Sequence, residues 1–327
     1  MSEAKRRPWR RWIVLLLMIA GWVIGSIIIP VQPEISVKAE NILGEGKTWF
    51  GVLPSVNTVI SLVITVLVVV LLAWFAGQSL RKSQKDDLVP KGIGNLMEAF
   101  FEMLYNLTEG SAGSKWARAI FPWFATIMFY VLVANLLKLI PGFESVGVFH
   151  HAEHDGHARQ LLGALGGTNL YNLTSEEGDF ILVPFLRGVS VDLNFTFAIA
   201  LISVFMTQVI GFRAQGWGYL TKFFNTKRMF KVPFFGAMDF LVGLLELISE
   251  LSKILSFAFR LFGNMFAGIV LVAIVAGLLG KISILPAMIM MFELFVGVIQ
   301  AFVFGMLTMV FMAQATQGHG EEHAESH

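Results

Sequence analysis

Apolar positions in this chain gather into long runs separated by short polar connections. Several runs reach the roughly 20 residues that a helix needs to cross the hydrocarbon core of a bilayer. The first covers 13–29, preceded by the basic stretch KRRPWRR and followed by Pro30. It reads as an uncleaved membrane anchor or as a signal removed later, and either way residues 30–54 reach the far side of the membrane. Further runs lie at about 56–76, 119–140, 193–212, 238–279 and 286–316. Ahead of the run at 119–140, Ile93, Leu96, Met97, Phe100, Phe101, Leu104 and Leu107 recur at helical spacing. Asn95, Glu98, Glu102, Asn106 and Glu109 occupy the other side. That pattern predicts an amphipathic helix over about 91–109, lying on the membrane surface or against a partner helix.

The resulting expectation is an all-α polytopic membrane protein with about six membrane segments. An anchor or signal in residues 1–30 precedes a five-span core over 50–316, with an outer polar loop at 141–191 and a polar tail at 317–327. Composition agrees: 56% of the 327 residues are hydrophobic and 14% charged, against about 25% charged in an ordinary soluble domain. Cysteine is absent, which excludes disulfides and thiolate-ligated metals. Lys and Arg cluster at 5–11, 81–91, 115–118 and 213–231, whereas the alternate connections carry only Lys38, Lys47, Arg159, Arg187 and Lys281. With the N-terminus inside and uncleaved, six spans alternate and both ends lie in the cytoplasm. Lys138, close to the end of its run, is placed to snorkel to the surface.

The 7 histidines fall in the outer loop (His150, His151, His154, His157) and in the tail (His319, His323, His327). Both tracts read as solvated segments, and neither a metal site nor a cofactor is assigned. No G-x-x-x-x-G-K loop occurs, so any nucleotide chemistry belongs to another chain.

Candidate chemistry lies in the last two runs. A helix over 238–279 is roughly 63 Å long at about 1.5 Å per residue, twice the hydrocarbon thickness of about 30 Å, so it tilts steeply or protrudes. Glu246, Ser249, Lys253, Ser256, Arg260 and Asn264 fall at steps that put them on one face. Asp239, Glu250 and Ser252 read as a solvated cytoplasmic extension of the same helix. Arg260 is either half of a buried ion pair or part of a polar path into the membrane. Its guanidinium stays protonated, so it is a fixed charge and not a proton carrier. In the last run Glu293, Gly297 and Gln300 recur at four and three, and Glu293 is the only acid there, among Phe292, Leu294 and Phe295. A lone intramembrane carboxyl is a candidate for proton exchange. Gln300 serves that path or simply bonds neighbouring helices.

The segments FRLFGNMFAG, ELFVGVIQAFVFGMLTMVF, SVDLNFTFAIAL and ANLLKLIPG together resemble subunit a of the F-type ATP synthase, over about residues 50–315. The resemblance implies a proton-translocating stator with two aqueous half-channels, its two long tilted C-terminal helices facing a ring of c subunits. Partners would be that ring, the peripheral-stalk b subunits and the rest of the complex, with no nucleic acid. Arg260 matches the essential stator arginine, and Asn264 and Gln300 the polar residues that flank it. Glu246, Ser249, Lys253 and Ser256 match the cytoplasmic half-channel, and Glu293 the last-helix position on the other half-channel. Some members carry an acid nine residues after the arginine, where this chain has Ile269, so Glu293 is expected to act alone. The rival classes are a self-contained secondary transporter, which internal repeats would favour, and a passive scaffold, which would not need a charge at Arg260.

Overall fold

Without water to bond to, a backbone inside a bilayer must satisfy its polar groups within its own segment, and a long apolar run therefore becomes a helix. The computed structural model of the chain describes residues 12, 16, 39–42, 48–49, 53–54, 56–86, 93–140, 143–144, 146–151, 157–158, 179–223, 233–279 and 285–317. Apart from residue 16, the anchor or signal at 13–29 falls outside these residues, as do the tail beyond 317 and His154 of the outer loop. Five long helices carry the architecture: α1 (Asn57–Asp86), α2 (Ile93–Leu137), α3 (Leu193–Gln215), α4 (Pro233–Leu279) and α5 (Leu285–Thr316). Each contains a stretch long and apolar enough to cross a membrane.

The packing is inverted relative to a water-soluble bundle. Helix α1 exposes Val63, Val66, Leu67, Val70 and Trp74 and buries Asn57, Thr58, Ser61 and Thr65. Apolar side chains lose nothing by facing lipid, whereas a hydroxyl or amide there needs a partner, so the polar face turns inward. Ser61 Oγ and Thr65 Oγ1 donate to carbonyls one turn back, and Thr58 Oγ1 donates to Asp192 Oδ2 at 2.7 Å. The other oxygen of Asp192 caps α3 by accepting from Asn194 N at 2.9 Å.

Helix α2 joins the expected amphipathic helix and the following span across a break at Gly113, where φ is 73° and ψ 161°. That backbone region is open essentially only to glycine. Tyr105 meets Phe121 with ring centroids 5.4 Å apart, and Phe101 meets Phe129 at 5.9 Å. A straight helix would separate the first pair by roughly 24 Å, so the chain doubles back at Gly113. The amphipathic arm thus docks on its own chain: Leu104 is fully buried in a core with Ile120, Phe124 and Met128 of α2, Ile210 of α3 and Met309 and Met312 of α5. A second core joins Ile127 and Val131 of α2, Ile199 and Ala200 of α3, Phe257, Leu261 and Met265 of α4, and Phe304 of α5. Gly305 lets α5 approach α2 closely, since a Cβ there would stand 2.7 Å from the Met128 side chain.

The outer connection between α2 and α3 is more ordered than its polar composition suggests. Its described parts form a small antiparallel sheet of order β3-β5-β4 from β3 (Gly147–His151), β4 (His157–Ala158) and β5 (Asp179–Pro184). The hairpin β1 (Thr48–Trp49) and β2 (Leu53–Pro54) precedes α1. A one-turn 3₁₀ helix, η1 (Val189–Val191), leads from β5 into α3, and η2 (Gly216–Lys222) follows α3.

The hairpin at Gly113 yields a paired test. Gly113→Ala should destabilise the subunit by about 1–3 kcal/mol, the usual cost of forcing a side chain into such a conformation. Gly110→Ala, in regular helix with open space around it, should be neutral or stabilising by about 0.5–1 kcal/mol. Thermal unfolding followed by helical circular dichroism separates the two, and equal midpoints would refute the doubled-back arm.

Candidate functional site

Helix α4 sorts its residues by side. Phe257, Ala258, Leu261 and Met265 are buried in the core, whereas Ser249, Ser256, Arg260 and Asn264 are exposed beside Leu255 and Phe259. Steps of seven and four make the exposed polar residues one strip along the helix. Arg260 Nη2 donates to Ser256 Oγ at 3.5 Å, a long contact. Among the described residues no carboxylate lies within ion-pair distance of Arg260. A permanently charged group therefore stands on the outside of the chain, in a strip whose other exposed polar residues are uncharged.

Toward the N-terminal half of α4, Glu250 is buried, in contrast to the solvated extension expected from the sequence. Its Oε1 accepts from Lys253 Nζ and its Oε2 from Gln208 Nε2, both at 2.9 Å. Gln208 Oε1 in turn accepts from Tyr219 OH at 2.7 Å. Lys253 is half-buried, its ammonium 4.6 Å from the Phe311 ring centroid on α5. It is thus drawn off the exposed strip by an acid and an aromatic face. Glu246, half-buried, has interactions of its own. The six-residue face inferred from spacing therefore divides into an exposed strip and a buried network in which both Glu250 oxygens are bonded.

At the outer end the sequence reading needs a second correction. Lys138 does not snorkel: its side chain is 3% exposed, and Nζ lies 3.4 Å from Glu293 Oε2. Glu293 is not alone among apolar neighbours, because Phe292, Leu294 and Phe295 face outward while its carboxyl points inward. Its other oxygen, Oε1, is buried with no hydrogen-bond partner. Helix α4 makes room for that oxygen at Gly268, where a Cβ would overlap it. The α4 residue beside Glu293 is therefore Gly268, while Ile269 packs partly buried against the core. Around this pair, Asn135 Nδ2 donates to Gly297 O at 3.0 Å, and Ser190 Oγ donates to Asn135 Oδ1 at 2.6 Å. Arg187 N donates to Ser61 Oγ at 2.9 Å. Gln300 lies half-buried two turns beyond Glu293 on α5.

Glu144 completes the outer cluster from the turn that follows α2. It accepts from Gly188 N at 3.0 Å. Burial pushes its carboxyl above the ordinary value of 4.5, opposed by the Gly188 bond and by the charges of Lys138 and Arg187, and reinforced by Glu293. Lys138, Glu144, Asn135 and Gly268 are the residues that sequence reasoning missed. A signal existed: Lys138 in ANLLKLIPG and Glu293 are opposite charges left over in spans that end on the same side of the membrane.

Along α4, Arg260 comes ten residues after Glu250 and eight before Gly268, or about 15 Å and about 12 Å at helical rise. It stands between two buried carboxylate networks, one toward each end. Such an arrangement sets a fixed charge between two buried carboxylate networks of different character, one fully hydrogen-bonded and one not.

The model of the family described as ATP synthase A chain matches residues 59–313. The chain is 28% identical over 278 residues to ATP synthase subunit a of Mycobacterium bovis, covering 84% of this chain and 93% of that protein. It is 28% identical over 292 residues to the subunit a of Desulforamulus reducens, covering 85% and 86%. With the sodium ion specific subunit a of Propionigenium modestum it shares 30% identity over 233 residues, 68% of this chain and 64% of that one. These likenesses count against the self-contained transporter. The match over most of the length and the five apolar helices lead to one conclusion: the chain belongs to the subunit a family of the F-type ATP synthase, the ion-translocating stator subunits of its membrane sector.

Proposed function

We propose that this chain conducts protons to and from a rotating ring of c subunits, with Arg260 as the fixed charge between two aqueous half-channels. The observation that supports it most is the exposure of Arg260 on the outside of α4, with no acid among the described residues within ion-pair distance. An arginine facing hydrocarbon costs several kcal/mol. A carboxylate brought from another subunit removes that cost and uses the charge.

The mechanism follows from the two charge states of such a ring carboxyl. It travels through lipid protonated, because an ionised acid in hydrocarbon is strongly disfavoured. Opposite Arg260 the ionised form is favoured, so the proton departs into one half-channel. Beyond Arg260 the carboxylate takes a proton from the other. Ser249 and Ser256 on the exposed strip, with Glu246 and Lys253 near its inner end, line the inner path. Glu293 and Gln300 serve the outer one, and Asn264 flanks the arginine. Because the paths are offset, a charge crossing the potential releases about 2.3 kcal/mol per 100 mV as directed rotation. Peripheral-stalk b subunits hold the chain still in a bacterial cell membrane, with both of its ends inside.

Arg260→Ala should reduce proton-driven ATP synthesis in membrane vesicles to background, and Arg260→Lys should restore little, since an ammonium is a more strongly hydrated point charge that loses its proton on burial. Substantial coupled synthesis by Arg260→Ala would refute the role. Glu293→Gln should slow proton uptake by about tenfold or more, as expected when a positioned proton-transfer group is lost, while the amount of assembled complex stays close to that of the parent. Unchanged pumping would move the outer path elsewhere.

A further inference from the structure

The outer half-channel needs a group that takes protons from water, and Glu293 is poorly placed for that task by itself. Its carboxyl is buried, Oε2 is ion-paired with Lys138 at 3.4 Å, and Oε1, walled by Gly268, is buried without a hydrogen-bond partner. Ile269, at the position where an acid would extend the path along α4, carries no titratable group. Glu144 has the features that Glu293 lacks. It sits outside the membrane-spanning part of α2, in the turn beyond Pro141-Gly142, and is half-buried, so it borders both the outer solvent and the buried cluster. One of its oxygens is fixed by Gly188 N at 3.0 Å, which anchors the carboxyl to the strand-to-η1 connection.

We propose that Glu144 is the proton-collecting residue of the outer half-channel, passing each proton inward to Glu293 across the charge of Lys138. This rests on the half-channel reading above. The step is a proton transfer only: outer water gives a proton to the Glu144 carboxylate, and protonated Glu144 gives it up toward the free Oε1 of Glu293, which passes it on and returns to its charged pair with Lys138. No bond other than O–H forms or breaks.

The electrostatics suit the assignment. The charged groups acting on Glu144 are Lys138 from α2, Arg187 from the segment before η1, and Glu293 from α5. The two cations favour the carboxylate, whereas Glu293 and, most of all, burial favour the neutral acid, and the balance leaves the carboxyl above its ordinary range. A carboxyl so shifted loads at proton concentrations where an ordinary surface acid stays ionised, and it still unloads when Glu293 is empty. The sign is fixed: collection is efficient below the raised value and falls as the outer pH climbs through it.

The test uses the assembled ATP synthase in proteoliposomes, with synthesis driven by a fixed potassium diffusion potential while the pH on the outer-loop side is stepped from mildly acid to alkaline. Rates are taken per assembled complex and as the ratio of variant to parent, which cancels effects common to both. Glu144→Gln should lose about tenfold or more at alkaline pH, and the deficit should shrink as the outer pH falls and bulk protons reach Glu293 unaided. Glu144→His keeps a titratable group with an ordinary value of about 6.5, so its deficit should open at a pH displaced from that of the parent's own decline. A loss that is the same at every pH, a loss smaller than about twofold, or a profile indifferent to the side chain at 144 would overturn the proposal. Arg260→Ala in the same assay separates the two readings. If it stays coupled, the half-channel reading fails; if it uncouples while Glu144→Gln keeps the parent's profile, only the role of Glu144 fails.

Discussion

The rest of the structure depends on a guanidinium that cannot lose its proton and has no counter-charge among the described residues of its own chain. Two other cations that the described residues carry into the membrane region are compensated. Lys253 has Glu250, and Lys138 has Glu293. Arg260 alone among these is left on the outer surface of α4, between exposed Phe259 and the core residue Leu261. The proposed role gives that open charge a partner from another subunit, with the exposed strip of α4 as the face that meets it.

The two buried carboxylates differ in a way that assigns them different tasks. Both oxygens of Glu250 are hydrogen-bonded, to Lys253 and Gln208, and Gln208 is held by Tyr219. A network satisfied to that degree fixes α3, α4 and η2 in register and has little reason to exchange protons. Glu293 has one oxygen ion-paired and the other buried without a hydrogen-bond partner. Gly268 is what permits it, because any side chain at that position would fill the space Oε1 occupies. Ile269 packs against the core, while Lys138 and Glu144 approach Glu293 from just after α2 and from the turn beyond it.

Much of this was legible in the residues alone. Span positions, the class of fold and the prominence of Arg260 all follow from hydropathy and from the cost of a charge in lipid, which are local properties of the chain. Three things were not legible because they depend on which elements touch. The amphipathic arm at 93–107 showed an apolar face, but only the turn at Gly113 decides that Leu104 buries against Met309 and Met312. Glu250 looked solvated because its partner Gln208 lies 42 positions earlier on another helix. Glu293 looked solitary because Lys138 belongs to a span far away in sequence, and helical periodicity says nothing about neighbours of that kind.

Absence of cysteine makes the central claim directly measurable in the assembled complex. Asn264→Cys, on the exposed strip one turn from Arg260, is combined with a single cysteine next to the ring carboxyl of the c subunit, and oxidative cross-linking is scored against Met265→Cys, which is buried in the core. If Arg260 faces the ring, Asn264→Cys cross-links to the c subunit in high yield and Met265→Cys does not. No cross-link from Asn264→Cys in an assembled and coupled complex, or an equal yield from both positions, would contradict the account.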